Sequence, residues 1–293
     1  MKKNILLCLC LVALGGCASK QLSNPLERKI SSATQALCSN ASVFQRLNTS
    51  RPAAARSIEI YYENGSLETA RKAEIAAARA NSMLEAYFGF ALGKTFHLYI
   101  VSSRSSLDAF TGTANEDWVV GTAVTPYDVV ILDDAAWTEK TKKFVNFNKL
   151  IHHEMVHSFT MQLGAGDSRK CFYGHIGPIE MFWLDEGMAT YLSGQLEDWK
   201  SDIKKYDFEK YSQFSDSLDQ ADSYAVSATT VEFLIQRLGK EKILEIFRKL
   251  PEGFQLDSQH DIANALVKSE IGGEVPLKDL ERDWVEFVRR EYL

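Results

Sequence analysis

The amino-acid sequence predicts an α+β fold, with an N-terminal lobe of mixed sheet and one long helix followed by a C-terminal helical lobe. First, β-rich and helical runs alternate only up to about residue 145. Second, apolar residues beyond that point recur at helical spacing in 149–163, 179–192, 226–238, 243–250 and 280–292. Third, a chain of 293 residues, 45% of them hydrophobic, can bury a large core.

Hydrophobic patterning assigns the elements of the sheet lobe in turn. A short helix is predicted across 32–47, and the alternating residues at 57–62 predict a half-buried strand. The Ala-rich run at 67–91 predicts a long helix, with Gly93 as its stop signal. Further strands are predicted at 95–101, 118–124 and 129–132, the last two on either side of a turn at 126–128.

The first residues have the pattern of a secretory signal. Lys2 and Lys3 precede an apolar run at 5–14, and the small residues that follow end in Leu-Gly-Gly-Cys at Cys17. This ending resembles the bacterial lipoprotein box. The resemblance implies a signal peptide at 1–16, acylation of Cys17, and a lipidated tether with an N-terminal helix at 17–55. An ordinary signal with an incidental cysteine is the alternative.

The apolar run of the signal is too short to cross the hydrocarbon core of a bilayer as a helix, and no later segment reaches the roughly twenty apolar residues required. We therefore expect the mature chain to be attached to the membrane through lipid at Cys17. Ala18 and Ser19, with no Asp beside them, resemble outer-membrane sorting signals. The expected location is the cell envelope, on the periplasmic side of the outer membrane.

Two cysteines, Cys38 and Cys171, remain once the signal and the lipidated residue are set aside. In an oxidising periplasm such a pair is readily joined as a disulfide. Two separate buried thiols are the alternative, because free cysteine is often simply a core residue.

The charge distribution argues against nucleic acid as a partner. The formal net charge is −6, and it becomes −8 when the two positive charges of Lys2 and Lys3 leave with the signal. No basic block occurs along the chain.

The run His153-Glu154-Met155-Val156-His157 has the spacing of a metal site. Residues four apart lie on one face of a helix, so His153 and His157 can direct two ring nitrogens at one zinc ion. Glu154 lies about 100° around the helix, beside the metal, where a catalytic base belongs. The apolar neighbours of this run indicate an amphipathic helix. Two histidines without a metal are the alternative.

A catalytic zinc takes three protein ligands, so another ligand must come from elsewhere in the chain. The segment Trp183-Leu-Asp-Glu-Gly-Met-Ala-Thr-Tyr191 offers Glu186. Its small residues Gly187 and Ala189 would let this helix approach the first one closely. Asp185 and Thr190 are candidates for orienting the histidines through their other ring nitrogens, with solvated helix positions as the alternative.

These two runs together resemble the gluzincin superfamily of zinc metallopeptidases, particularly the peptidase MA-like families, whose second helix carries Glu-Gly-x-Ala. The resemblance implies a zincin-like peptidase domain at 56–293, with the sheet lobe at about 56–145, the helical lobe at about 146–293, and zinc in the cleft between them. It implies His153, His157 and Glu186 as zinc ligands and Glu154 as catalytic base. It also implies that 121–132 holds the edge strand lining the cleft.

Tyr224 resembles the tyrosine that such enzymes place over the site, where it would stabilise the oxyanion of the intermediate. A core tyrosine is the alternative. We therefore expect a hydrolase, a zinc-dependent metallopeptidase acting on a peptide or protein. Two rivals stay open, namely a non-proteolytic binding or assembly lipoprotein with this fold, and a zinc hydrolase of another amide such as one in cell-wall material.

The lipoprotein hypothesis predicts a mature chain that begins at an acylated Cys17. Mass spectrometry of the mature N-terminus is expected to show the lipid mass on that residue, and globomycin is expected to block its appearance. A freely soluble protein with an unmodified N-terminus would contradict the hypothesis.

Overall fold

A five-stranded mixed sheet forms the N-terminal part of the computed structural model, which describes residues 43–48, 58–111, 114–165, 183–205, 224–250, 257–273 and 275–293. In the order β1-β2-β3-β5-β4, the three central strands are parallel, and each outer strand is antiparallel to its neighbour. The strands are β1 Phe44–Arg46, β2 Ile58–Glu63, β3 Phe96–Val101, β4 Gly121–Thr125 and β5 Asp128–Leu132.

Alternation along the central strands gives the sheet one fully apolar face. Ile60 and Leu98, which pair across β2 and β3, are both buried. The next pair along, Tyr61 and Tyr99, stacks on the opposite face with ring centroids 5.3 Å apart. The strands predicted at 57–62, 95–101, 118–124 and 129–132 are therefore present, with ends that differ by up to three residues.

Helix α1, Leu67–Phe88, connects β2 to β3 and packs its buried alanines against the apolar face. The helix ends earlier than the sequence suggests. Gly89, not Gly93, terminates it, with a left-handed φ of 78° and its N–H bonded to the carbonyl of Glu85. Glycine adopts this conformation without the steric cost that other residues incur.

The other regular elements of the described chain are helices, apart from β3, β4, β5 and a 3-10 turn at Asp134–Ala136. The helix at Asp257–Ile271 was not predicted, although its buried residues Ala263, Val267 and Ile271 recur every four positions. The helices after α1 are α2 Arg104–Thr111, α3 Glu139–Phe144, α4 Phe147–Ala165, α5 Trp183–Leu192, α6 Gln195–Asp198, α7 Lys200–Ile203, α8 Tyr224–Leu238, α9 Lys240–Lys249, α10 Asp257–Ile271 and α11 Leu277–Tyr292.

Helix α4 lies between the sheet and the other helices. Asn146 caps its start by accepting from the backbone N–H groups of Asn148 and Lys149 at 3.0 and 3.2 Å. The helix contacts β4 and β5 on one side and α1, α5 and α9 on the others. Every residue at 150–161 is consequently buried, so the helix is not amphipathic as predicted but enclosed on all faces.

The N-terminal segment departs from its prediction. Phe44–Arg46, at the end of the helix expected across 32–47, form strand β1 instead, and β1 pairs with β2. The sheet thus begins before the boundary expected at residue 56. The remainder of that helix and the three cysteines at 17, 38 and 171 lie outside the described residues.

No helix within the described ranges combines a bilayer-spanning length with a sufficiently apolar sequence.

Gly187 allows two helices to touch, but they are not the pair that the sequence suggested. A Cβ at this position would lie 2.5 Å from the backbone oxygen of Ser227 and 2.7 Å from a methyl of Val231, both on α8. The small residue therefore brings α5 against α8, and the contact of α5 with α4 is made by other side chains.

Replacing Gly187 with Ala is expected to destabilise the fold. Alanine has the better helix propensity, but its methyl would collide with backbone rather than with a flexible side chain, and such overpacking costs about 1–3 kcal/mol. Chemical unfolding measures the change. Gly93→Ala is the control, because a Cβ there meets nothing within 4 Å, and equal stability of both variants would contradict the packing argument.

Candidate metal centre

Helices α4 and α5 bring three potential metal ligands to one point. The Nε2 atoms of His153 and His157 are 3.1 Å apart, and Oε2 of Glu186 lies 3.3 Å from the first and 3.5 Å from the second. All three side chains are buried. In the described part of the chain, this is the group of histidine, cysteine and acidic residues that can hold a metal ion.

The donor atoms fit zinc in both chemistry and spacing. Nitrogen and oxygen ligands at 2.0–2.1 Å in a tetrahedral arrangement lie about 3.3–3.4 Å from one another. The three observed separations, 3.1, 3.3 and 3.5 Å, are centred on that value. Two imidazoles and one carboxylate also leave a fourth position open, as catalytic zinc sites do.

Asp185 fixes the orientation of one imidazole. Its Oδ2 lies 2.8 Å from Nδ1 of His157, and its Oδ1 accepts from the hydroxyl of Thr160 at 2.5 Å. Burial lowers the pKa of His157, but the carboxylates of Asp185 and Glu186 more than offset this and hold the pKa well above its usual value. The ring nitrogen that faces Asp185 carries a proton, so Nε2 is turned toward the other donors.

Glu154 lies against the edge strand of the sheet. A Cβ on Gly121, the first residue of β4, would sit 3.3 Å from Cγ of Glu154. The absence of a side chain at Gly121 lets the strand approach α4 this closely. The residue predicted as catalytic base is therefore buried and lies against the strand predicted to line the cleft.

Tyr224, at the start of α8, lies beside the site. Its ring centroid is 6.1 Å from that of His153. Burial raises the pKa of Tyr224 well above its usual value, and the nearby carboxylates of Glu186 and Glu154 raise it further. The phenol consequently keeps its proton at neutral pH and can donate a hydrogen bond.

Thr190 makes no hydrogen bond to either histidine. Its hydroxyl is buried and forms no hydrogen bond within the described part of the chain, so the predicted orienting role is not observed there. Nδ1 of His153 likewise has no hydrogen-bond partner among the described residues. His152 is buried, and burial lowers its pKa to about 4 with a further contribution from His153.

Sequence reasoning missed Thr160 of α4, whose hydroxyl donates to Asp185 of α5. A threonine three residues after His157 in an apolar helix was the available signal, because residues three apart share a helix face. It also missed Trp118 and Trp199, whose rings contact Tyr224 at centroid distances of 6.3 and 5.9 Å. Nothing in their local sequence points to these contacts.

Comparison with known proteins gave neither a matching family model nor a matching curated protein. Among solved structures, the chain is similar to a point mutant of a two-domain M1 zinc metallopeptidase bound to L-arginine. The identity is 14% and the TM-score 0.46, over 83% of this chain and 51% of the other, so the chain spans about half the length of that structure. A likeness this distant carries no argument about activity.

Replacing Asp185 with Ala is expected to weaken zinc binding about 10- to 100-fold, because the His157 ring loses its orienting acceptor. Competition against a chromogenic chelator measures the affinity. Thr190→Val is the matched control on the same helix, since its buried hydroxyl has no hydrogen-bond partner among the described residues. A loss in the threonine variant equal to that in the aspartate variant would contradict this assignment.

Proposed function

We propose that this protein is a zinc-dependent metallopeptidase, in which His153, His157 and Glu186 bind the metal. The observation that carries the proposal is the mutual distance of 3.1–3.5 Å among three buried donor atoms, with Glu154 adjacent to the first of them in sequence. A structural histidine pair would not require a buried carboxylate at the same point, since burying a charge is costly without compensation.

A zinc ion held there supplies a Lewis acid that polarises a carbonyl oxygen and lowers the pKa of water. Glu154 takes the proton from the attacking water and passes it to the leaving amine. Burial between α4 and β4 keeps its carboxylate close to the reacting atoms and shields it from bulk solvent. Asp185 holds the His157 ring so that a donor nitrogen faces the metal.

Tyr224 supports the same reaction as a hydrogen-bond donor. Its protonated phenol and its position next to His153 suit it to stabilise the oxyanion that forms when the carbonyl is attacked. This role requires the hydroxyl, so the ring alone would not provide it.

Strand β4 favours a peptide over other amides as the substrate. It is the last strand in the order of the described sheet, and an edge strand presents backbone groups with which an extended peptide can pair. A peptide bound along β4 would pass Glu154 at Gly121. A cell-wall amide remains the second candidate substrate, and a non-proteolytic scaffold is the rival that does not need Glu154.

The proposal includes attachment to the membrane through lipid at Cys17, which rests on the signal pattern alone. An anchored enzyme would act on substrates in the periplasm.

Replacing Glu154 with Gln is expected to lower peptide hydrolysis at least about 100-fold while leaving one zinc ion per chain, because the amide keeps the shape but cannot act as base. His153→Ala is expected to lose the metal itself. Hydrolysis of a peptide library and metal analysis give the two readouts.

The adjacent His152→Asn is the matched control for metal loss, since it removes an imidazole from the same turn of helix. Zinc stoichiometry should stay near one per chain in that variant. Full hydrolysis by the Glu154→Gln protein would contradict the proposed mechanism, and zinc retained by His153→Ala would contradict the ligand assignment.

A further inference from the structure

Aromatic contacts link an exposed tryptophan to the candidate site. Trp118 is 54% exposed, yet its indole contacts Tyr224 edge to face. Tyr224 in turn contacts His153. The rings of His153, Tyr224 and Trp118 thus contact one another in series, from a proposed metal ligand to the surface. The ring of Trp118 faces solvent.

The backbone on both sides of Trp118 is held in place. The guanidinium of Arg104 donates to the carbonyl oxygens of Val119 and Asp117, the latter at 2.8 Å. The N–H of Val119 closes a turn onto the carbonyl of Glu116 at 3.0 Å. The side chain of Arg104 thus restrains the two carbonyl groups that flank the exposed indole. A solvated surface residue would not need this restraint.

Trp118 is also continuous with the edge strand. The carbonyl of Val120 accepts from the N–H of Leu132 at 2.8 Å, which extends the pairing of β4 with β5 back toward Trp118. Gly121, which lies against Glu154, is three positions after Trp118, and an extended chain covers at most about 10 Å in that length. A peptide lying along β4 would therefore present a side chain to the indole within about three residues of the scissile bond.

We propose that Trp118, positioned by Arg104, is a specificity-determining residue that packs an apolar side chain, aromatic ones included, of a peptide substrate next to the scissile bond. An exposed indole offers a large apolar surface at little cost in conformational entropy, and aromatic pairs add to the area they bury. Trp199 also contacts the Tyr224 ring, with the two ring centroids 5.9 Å apart. This inference rests on the proposed peptidase function.

The experiment reads binding separately from cleavage. Zinc-loaded Glu154→Gln protein, which should bind without hydrolysing, is used to select from a random decapeptide mixture, and the bound peptides are sequenced by mass spectrometry. Peptides with aromatic or large aliphatic side chains are expected to be enriched. Adding Trp118→Ala should lower that enrichment about tenfold, equivalent to about 1.4 kcal/mol, whereas Trp118→Phe should retain most of it.

Two further variants separate the role of the ring from general effects. Arg104→Ala keeps the indole but frees its backbone, and it should lower the enrichment without changing zinc stoichiometry. Met83→Ala, which removes a side chain of similar exposure from α1, should leave the enrichment unchanged.

Equal enrichment with and without the indole would overturn the inference, as would selection of basic or acidic side chains. The wild-type protein is then assayed for hydrolysis of the selected peptides. Selective binding without hydrolysis would refute the peptidase function and leave the subsite standing. Hydrolysis with a preference that Trp118→Ala does not alter would refute the subsite and leave the peptidase function standing.

Discussion

The hydrogen bonds of Asp185 set the geometry on which the candidate site depends. This residue of α5 contacts Nδ1 of His157 at 2.8 Å and the hydroxyl of Thr160 at 2.5 Å, both on α4. These two contacts fix how α5 lies against α4. They thereby place Glu186, the residue after Asp185, next to the ring nitrogens of the two histidines. If α5 shifted by one residue, Glu186 would turn about 100° away from them.

The burial of this cluster favours a bound cation. Three carboxylates, those of Glu154, Asp185 and Glu186, are buried with two imidazoles in the space between α4, α5 and β4. Buried charge costs several kcal/mol per ion unless it is compensated. In the absence of a metal, the carboxylates of Asp185 and Glu186 raise the pKa of His157. A divalent ion at the point where the three donor atoms converge would replace that proton and compensate the carboxylates directly. A fold that needed only stability would use apolar side chains at these positions.

Local features of the site could be predicted from the sequence, and long-range ones only in part. The spacing of His153 and His157 is a property of a single helix, so it predicts their convergence directly. Glu186 is a candidate because a catalytic zinc needs a third ligand, and the resemblance to a known motif implies the same role. Twenty-nine positions separate it from His157, and no periodicity connects them. The small Gly187 indicated a close helix contact, but its partner helix, α8, follows only from the tertiary fold. Strand β1 was missed because Phe44 and Leu47 have helical spacing, while pairing with β2 and contacts of Phe44 with Tyr99 and Phe110 determine the outcome.

The central claim is that His153, His157 and Glu186 bind one zinc ion, and zinc K-edge X-ray absorption of the purified protein tests it most directly. The account predicts a shell of low-atomic-number ligands at about 2.0–2.2 Å, with the outer-shell scattering of two imidazole rings. It further predicts that His157→Ala, like His153→Ala, loses the zinc, so that the zinc absorption edge disappears with the ligand. Sulfur scattering at about 2.3 Å, or a six-coordinate oxygen shell without imidazole, would contradict the claim.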